Sequence, residues 1–383
     1  MKKKIFYWSP CLNPVGTIIS TMNSAISANE YGNKNYDVTI IDACGEWKNY
    51  EKYLIKNRVK VISLNFNFYN LLPKRGYVQS RFSYIIIFLT CFFPLIKILN
   101  KEKPDILIAH LITSLPLTIM NLTNISTKFI LRISGMPKIN FLRKYFWKYS
   151  SKKLHLVTCP SLELKSKLEN LKIFYDKSLF FLPDAVINVK NFLSQKNQEI
   201  KFPINVIDKK IIFAAGRLTK QKNFSYLIDE FYKFSLINQK YVLFILGEGE
   251  LKKELLKQIK KLKLENKVFL IGHVKNIYSY FLKGEIFILS SLWEEMGFVM
   301  IEAALSNLFV IASDCPNGPK EFLNEGKNGL LFRSNSQNSL SEQLNVYQTI
   351  QNKKKFKINL KKEVCKFTKF RHFKKLDSIL KKI

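Results

Sequence analysis

The sequence predicts an α/β protein built from two doubly wound halves. Three features of the 383 residues lead there. Short, β-branched apolar runs recur between turn residues, stretches with helical spacing separate them, and after a polar interval near residue 200 the pattern starts again.

The first series of strands is read at Lys4 to Trp8, Tyr36 to Ile41, Val59 to Leu64, Asp105 to Ala109, Lys128 to Arg132 and Leu154 to Cys159. The second is read at Lys210 to Ala215, Tyr241 to Leu246, Val268 to Ile271, Ile286 to Leu289, Phe309 to Ser313 and Leu330 to Phe332. Between them Asn188 to Lys209 is polar, weakly periodic and contains Pro203, a composition that suits an inter-domain linker. Within the second half, Leu227, Ile228, Phe231 and Phe234 keep helical spacing after Asn223, as do Leu251, Leu255, Leu256, Ile259 and Leu262. At the end, Phe367, Phe370, Phe373, Leu376, Ile379, Leu380 and Ile383 form one apolar stripe on a terminal amphipathic helix. The expected domains are 1–190 and 205–364, with 365–383 packing back on the first. Two such halves facing each other would leave a cleft outside the carboxyl ends of their strands, where open α/β sheets bind ligands.

Lys and Arg number 62 against 29 Asp and Glu, a formal charge of +33. Such an excess suits nucleic acid, an anionic membrane or a phosphate-rich substrate, or reflects a lysine-rich solvated surface. Nucleic acid is the weakest of these, because no zinc finger, basic zipper or other DNA-binding motif is present. The six cysteines, Cys11, Cys44, Cys91, Cys159, Cys315 and Cys365, lack metal-ligand spacing and fit a reducing cytosol. The apolar run Ile5 to Trp8 after three lysines is stopped by Ser9-Pro10, too short for a signal peptide. One greasy segment, Phe82 to Ile96 between Arg81 and Lys97, is interrupted by Pro94. Its fifteen residues fall short of the roughly 20 that span a bilayer, so it reads as a core helix or one lying in the membrane interface.

The chemistry concentrates at strand ends of the second half. Ser290-Ser-Leu-Trp-Glu294-Glu-Met-Gly297-Phe298 runs from a strand through a glycine loop into a helix carrying Glu302. Backbone N–H groups at such a helix start make an anion site suited to a diphosphate. Glu294 and Glu302, eight positions apart and up to about 12 Å at helical rise, place one carboxylate for sugar hydroxyls and one for ribose. Upstream, Gly216-Arg217-Leu-Thr-Lys-Gln-Lys222-Asn223 delivers an Arg fork and a Lys point charge from one strand end, the pair needed to stabilise a departing nucleoside diphosphate.

Gly216-Arg-Leu-x-x-Gln-Lys-Asn, Leu246-Gly-Glu-Gly-Glu-Leu, the Glu294-x7-Glu302 element and Ser313-Asp-Cys-Pro-Asn-Gly-Pro-Lys-Glu321 followed by Gly326-x-Asn-Gly occur in this order over residues 210–335. In these pieces the sequence resembles retaining glycosyltransferases of the GT-B fold, the family that builds bacterial polysaccharides and lipopolysaccharides. The first half is similar more loosely, through Lys103-Pro-Asp-Ile-Leu-Ile-Ala-His110, where the family often carries a histidine at a strand end. In place of its glycine-rich loop after the first strand stands Ser9-Pro-Cys-Leu-Asn-Pro-Val-Gly16.

The resemblance implies two Rossmann-like domains across a cleft, with Arg217 and Lys222 on the donor diphosphate and Glu302 on its ribose. Glu294, with the amides of Gly297 and Phe298 beside the Gly216 turn, would hold the transferred sugar and phosphate; His110 would be catalytic and Gly16 an acceptor-loop candidate. It also implies retention of anomeric configuration with the leaving phosphate helping to take the acceptor proton. No Asp-x-Asp occurs, so no metal and no cofactor are expected; Lys and Arg take the metal's place. Expected partners are a nucleotide sugar, a lipid-linked or oligosaccharide acceptor and an anionic membrane, with no nucleic acid. The expected location is cytoplasmic, peripheral on the inner face of the cytoplasmic membrane. A nucleotide-sugar epimerase of the same fold is the alternative enzyme, and a basic nucleic-acid-binding protein the alternative outside enzymes.

Overall fold

A computed structural model describes residues 2–12, 16–73, 77–174 and 178–383. The chain divides into two compact units, Met1–Val186 with Lys369–Ile383, and Ile187–Thr368.

The first unit is a parallel sheet of seven strands: β1 (Lys3–Trp8), β2 (Tyr36–Asp42), β3 (Lys60–Ser63), β4 (Ile106–Ala109), β5 (Lys128–Arg132), β6 (Leu156–Cys159) and β7 (Leu179–Phe181). Their order is β3-β2-β1-β4-β5-β6-β7, so the strand order reverses between β1 and β4. The sequence reading anticipates six of these strands and misses the three-residue β7, which is too short to show a period. Alternation along β1 sends Phe6 and Trp8 to one face and Ile5 and Tyr7 to the other, and both faces are buried, as parallel sheets require. The first face is covered by α3 (Tyr77–Glu102), the second by α1 (Gly16–Gly32) and the C-terminal α15 (Lys369–Leu380). From α15, Phe373, Leu376, Ile379 and Leu380 enter that second core. The remaining helices of this unit are α2 (Lys48–Lys56), α4 (Ser114–Leu122), α5 (Phe141–Ser151) and α6 (Leu162–Asn170).

Helix α3 corrects the expectation for the greasy segment. It runs unbroken for 26 residues with Pro94 inside it. A proline within a helix costs about 3 kcal/mol, but Ile87, Cys91, Leu95 and Leu99 on one face are all buried, and each large apolar side chain returns about 1.5–3 kcal/mol. Packing therefore outweighs the lost backbone bond. Its stretch Arg81–Glu102 is long and apolar enough to cross a membrane by length and composition, and 28% of its most apolar window is buried. The opposite face carries Phe82, Ile85, Leu89 and Phe93, all exposed.

The second unit repeats the plan with six parallel strands, β8 (Lys210–Ala215), β9 (Tyr241–Leu246), β10 (Val268–Gly272), β11 (Ile286–Leu289), β12 (Phe309–Ser313) and β13 (Leu330–Phe332), ordered β10-β9-β8-β11-β12-β13. Order reverses here between β8 and β11. One core face is built on Ile212, Leu243, Ile245, Ile286 and Ile288, packed against Phe231 and Phe234 of α8 (Phe224–Ile237). The other is aromatic: Phe213 lies 5.9 Å from Phe244 and 5.6 Å from Phe281.

The polar stretch read as a linker is partly folded onto this unit. Helix α7 (Val189–Gln195) starts at Asn188, whose side chain accepts from the amides of Lys190 and Asn191. Its Phe192 meets Tyr278 edge-on at 5.2 Å, and Phe202 meets Phe244 at 4.9 Å. Two isolated aromatics anchor a segment whose average composition is that of a linker.

Candidate active site

The reversal of strand order between β8 and β11 decides which loops of the second unit meet. The turn after β8 holds Gly216, Arg217 and Lys222, and the loop after β11 leads through Glu294 to α11 (Phe298–Leu305). These two segments are stitched together. The Leu292 amide donates to the Gln221 carbonyl at 2.8 Å, Gln221 Nε2 to the Trp293 carbonyl at 2.9 Å, and Ser290 Oγ to the Lys222 carbonyl at 2.7 Å. Lys222 Nζ is ion-paired with Glu294 Oε1, which also accepts from Ser291 Oγ at 2.7 Å. Asn317 holds the Glu294 backbone carbonyl at 3.3 Å, and Ser313 Oγ holds the Ser291 carbonyl at 2.6 Å. Ser291, Ser313 and Asn317 lie within the sequence motifs, with no role assigned to them there. Their roles come from side chains on three strand ends converging, which no linear spacing records.

Glycine is required at two of these points. At Gly216, with φ +149°, an added Cβ would lie 2.8 Å from Lys222 Cε, so the bare turn lets the lysine fold over it towards Glu294. Gly297 adopts the left-handed conformation at φ +65° and starts α11 with no side-chain cap. The first amides of that helix are thus available to an anion.

Arg217 is exposed, and no side-chain hydrogen bond or ion pair is made by it among the described residues. Glu302 lies one turn into α11, and its carboxylate has no hydrogen-bonding partner among the described residues. Burial pushes its pKa up to about 7. Once deprotonated, this carboxylate is suited to hydroxyl donors from a ligand.

In the first unit, His110 follows β4 and Gly16 opens α1, either side of the β1–β4 reversal. Of the loop Ser9 to Gly16, residues Asn13, Pro14 and Val15 lie outside the described residues. His110 is buried; its amide donates to the Trp8 carbonyl at 2.8 Å and its Nδ1 lies 3.2 Å from Thr21 Oγ1. Desolvation, aided by the charge of Arg132, holds its pKa well below the ordinary histidine value, so the ring is neutral and able to accept or donate one proton. Behind it lies a network unseen in the sequence. Arg132 Nη2 pairs with Asp184 at 2.6 Å, and His372 of α15 bridges the Pro183 carbonyl at 2.6 Å and Ser24 Oγ at 2.8 Å.

His110 and Arg132 also line a pocket of about 840 Å³ between α3, α5 and the ends of β4 and β5. The sequence does contain a signal for it. Phe141-Leu-Arg-Lys-Tyr-Phe-Trp-Lys-Tyr149 interleaves aromatics and cations. No group of three or more His, Cys, Asp or Glu placed to hold a metal occurs among the described residues.

Residues 196–363 match the model of the glycosyl transferases group 1 family. The matched region contains Gly216, Arg217, Lys222, Glu294 and Glu302. The chain is 33% identical over 258 residues to an uncharacterised glycosyltransferase of Methanocaldococcus jannaschii, a match covering 60% of this chain and 61% of that one, under two thirds of the relative's length. It is 28% identical over 327 residues to a Campylobacter jejuni α-1,4-N-acetyl-D-galactosaminyltransferase named for a diphospho-undecaprenol-linked acceptor, covering 84% of each. A glycosyltransferase structure from Rickettsia africae superposes with a TM-score of 0.79 at 20% identity, covering 100% of this chain and 98% of that one. The fold is accordingly GT-B, with two Rossmann-like parallel α/β domains. Neither the epimerase nor the nucleic-acid reading is favoured by these likenesses.

Proposed function

We propose that this protein transfers a sugar, with retention of configuration and without a metal ion, from a nucleoside-diphosphate sugar to a hydroxyl of a lipid-linked or glycan acceptor in bacterial cell-surface polysaccharide synthesis. It does so at the cytoplasmic face of an anionic membrane. The observation that carries this reading is the meeting of the Gly216–Lys222 turn with the Glu294–Gly297 loop at one strand-order reversal.

In this mechanism the diphosphate lies at the start of α11, held by the Gly297 and Phe298 amides, with Arg217 and Lys222 meeting the charge that grows on it as the sugar leaves. Glu294, ion-paired with Lys222, accepts from sugar hydroxyls, and Glu302 accepts from ribose. The departing phosphate oxygen helps take the acceptor proton on the same face, so no protein nucleophile is required. Neutral His110 orients the acceptor hydroxyl or the sugar in the first unit. The acceptor printed in the name of the Campylobacter relative supports a lipid-linked class.

The test is turnover with a panel of UDP- and GDP-sugars and diphospho-polyprenyl-linked acceptors. Glu294→Gln and Arg217→Ala each lower kcat by about 10²–10³-fold while leaving the folded state intact by circular dichroism. Product NMR shows retention, and the rate survives EDTA. A folded Glu294→Gln protein that turns over like the wild type removes the site assignment; loss of activity in EDTA removes the metal-free clause.

A further inference from the structure

Where the segment Ser9 to Gly16 departs from a glycine-rich loop, it carries side chains that glycines would lack. Two of them, Ser9 and Cys11, lead to His110. His110 Nδ1 lies 3.2 Å from Thr21 Oγ1 on α1, Thr21 Oγ1 lies 3.2 Å from Ser9 Oγ, and Ser9 Oγ lies 3.6 Å from Cys11 Sγ. Ser9, Cys11, Thr21 and His110 are all buried. Nε2, the other polar atom of the His110 ring, has no hydrogen-bonding partner among the described residues, and the ring lines the pocket of about 840 Å³.

The placing of protons decides what this row can do. Each link needs one hydrogen, and Cys11, Ser9 and Thr21 carry one each, so every link is made only when all the groups point the same way. In one arrangement the run points inward and Thr21 donates to Nδ1. In the other Nδ1–H donates to Thr21, and Ser9 donates to the thiol. Imidazole nitrogen is a good acceptor and sulfur a weak one, so the outward run ends on the poorer acceptor and leaves the S–H idle. Burial pushes the Cys11 thiol up to about 12, so its proton is in place to begin the inward run. With Nδ1 accepting, the neutral ring carries its proton on Nε2. His372 in the same unit is set the other way. Its Nδ1 faces the Pro183 carbonyl, which can only accept, at 2.6 Å, so Nδ1 is protonated and Nε2 accepts from Ser24 Oγ at 2.8 Å. Tyr7 then donates to Ser24 at 3.1 Å.

We propose that Thr21, backed by Ser9 and Cys11, is the positioning residue of His110: it holds the ring with its proton on Nε2, as a hydrogen-bond donor to a substrate oxygen and not as a general base. The tautomer follows from the first unit alone, whereas the substrate oxygen rests on the transferase reading above. His110 then takes no proton from the acceptor hydroxyl, which leaves that proton to the departing phosphate oxygen.

The experiment uses the full chain with its histidines labelled in nitrogen-15, read by long-range proton–nitrogen correlation NMR, which separates a protonated ring nitrogen from a bare one. Signals lost in His110→Gln and His372→Gln assign the two rings. In the wild type, His110 shows a bare Nδ1 and a protonated Nε2, and His372 shows the reverse. A protonated Nδ1 on His110 overturns the proposal, whatever the variants do. Thr21→Val keeps the shape of the side chain and removes its hydroxyl: the His110 signals then report a mixture of tautomers, and turnover falls about tenfold. Thr21→Ser restores both. Wild-type tautomer and turnover in Thr21→Val overturn the positioning role. His110→Gln, which keeps an N–H donor and cannot act as a base, retains about tenfold more turnover than His110→Leu. Equal loss in those two variants overturns the donor assignment. A wild-type chain with the expected spectrum but no transfer from any nucleotide sugar defeats the transferase reading and leaves the tautomer, and the part of Thr21 in it, standing.

Discussion

Glu302 shows how a single side chain can report on ligand binding. The unfolded carboxyl ionises near 4.5, whereas burial delays ionisation in the folded chain to about 7. Between these values the folded state keeps a proton that the unfolded state has released, so this group's contribution to stability falls as pH rises and is fully lost above 7. Glu302→Gln therefore gains stability relative to the wild type on going from pH 5 to pH 8, by roughly 3 kcal/mol at most, measurable as the difference in Tm between the two proteins across that range. If ribose hydroxyls are its partners, UDP affinity of the wild type rises through pH 7 and that of Glu302→Gln does not; calorimetry at pH 6 and pH 8 distinguishes them. The placing of Arg217, Lys222 and Glu294 at strand ends, and of Glu302 in the helix that follows, was legible in the sequence, because strand-end glycines and charges have a recognisable order. That Lys222 and Glu294 form one ion pair, held by Ser291, was not, since 72 residues separate the pair and only the sheet brings them together.

At the scale of elements, α15 matters most to the first unit. It closes one face of the sheet with four buried apolar side chains and inserts His372 among Ser24 and Pro183. Burial lowers the His372 pKa to about 4 from 6.5, so the ring is neutral when folded, and stability present above pH 6.5 is lost as pH falls towards 4. His372→Gln is expected to lose about 2 kcal/mol less than the wild type between pH 7 and pH 5, read from urea unfolding at each pH. Removing residues 369–383 exposes that core face, and the expected result is an aggregating chain by light scattering. The apolar period of this helix was visible in the sequence. Its partner was not, because an amphipathic stripe states that a surface is needed and does not say which. For α3, composition suggested an interruption at Pro94; the continuous helix was decided by Ile87, Cys91, Leu95 and Leu99 finding a core to enter.

For the molecule as a whole, the charge of +33 and the exposed apolar row on α3 act together. In the proposed membrane association, positive charge draws the chain to an anionic surface from a distance, and the apolar row supplies contact once there. Co-sedimentation with phosphatidylglycerol vesicles is expected at low ionic strength and should fall steeply by 0.5 M salt, where the Debye length shrinks to a few ångströms, about 4 Å. Phe82→Ser with Phe93→Ser weakens it at every salt concentration without changing the salt slope. Recovery of the wild-type chain in the supernatant at low salt, with vesicles present, removes the membrane from the proposed function.

Alone, the sequence determined the two parallel α/β halves, nearly every strand and the charges at the strand ends of the second unit, because alternation, helical spacing and strand-end glycines are local properties of the chain. Tertiary structure decided the rest: β7, the folding of α7 onto the second unit, the pairing of Lys222 with Glu294, the buried Arg132–Asp184 ion pair, the His372 contacts with Ser24 and Pro183, and the pocket between α3 and α5. The physical reason is common to all of them. Each depends on a free energy gained only when distant segments exclude water from one another, and such a gain leaves no period in the sequence.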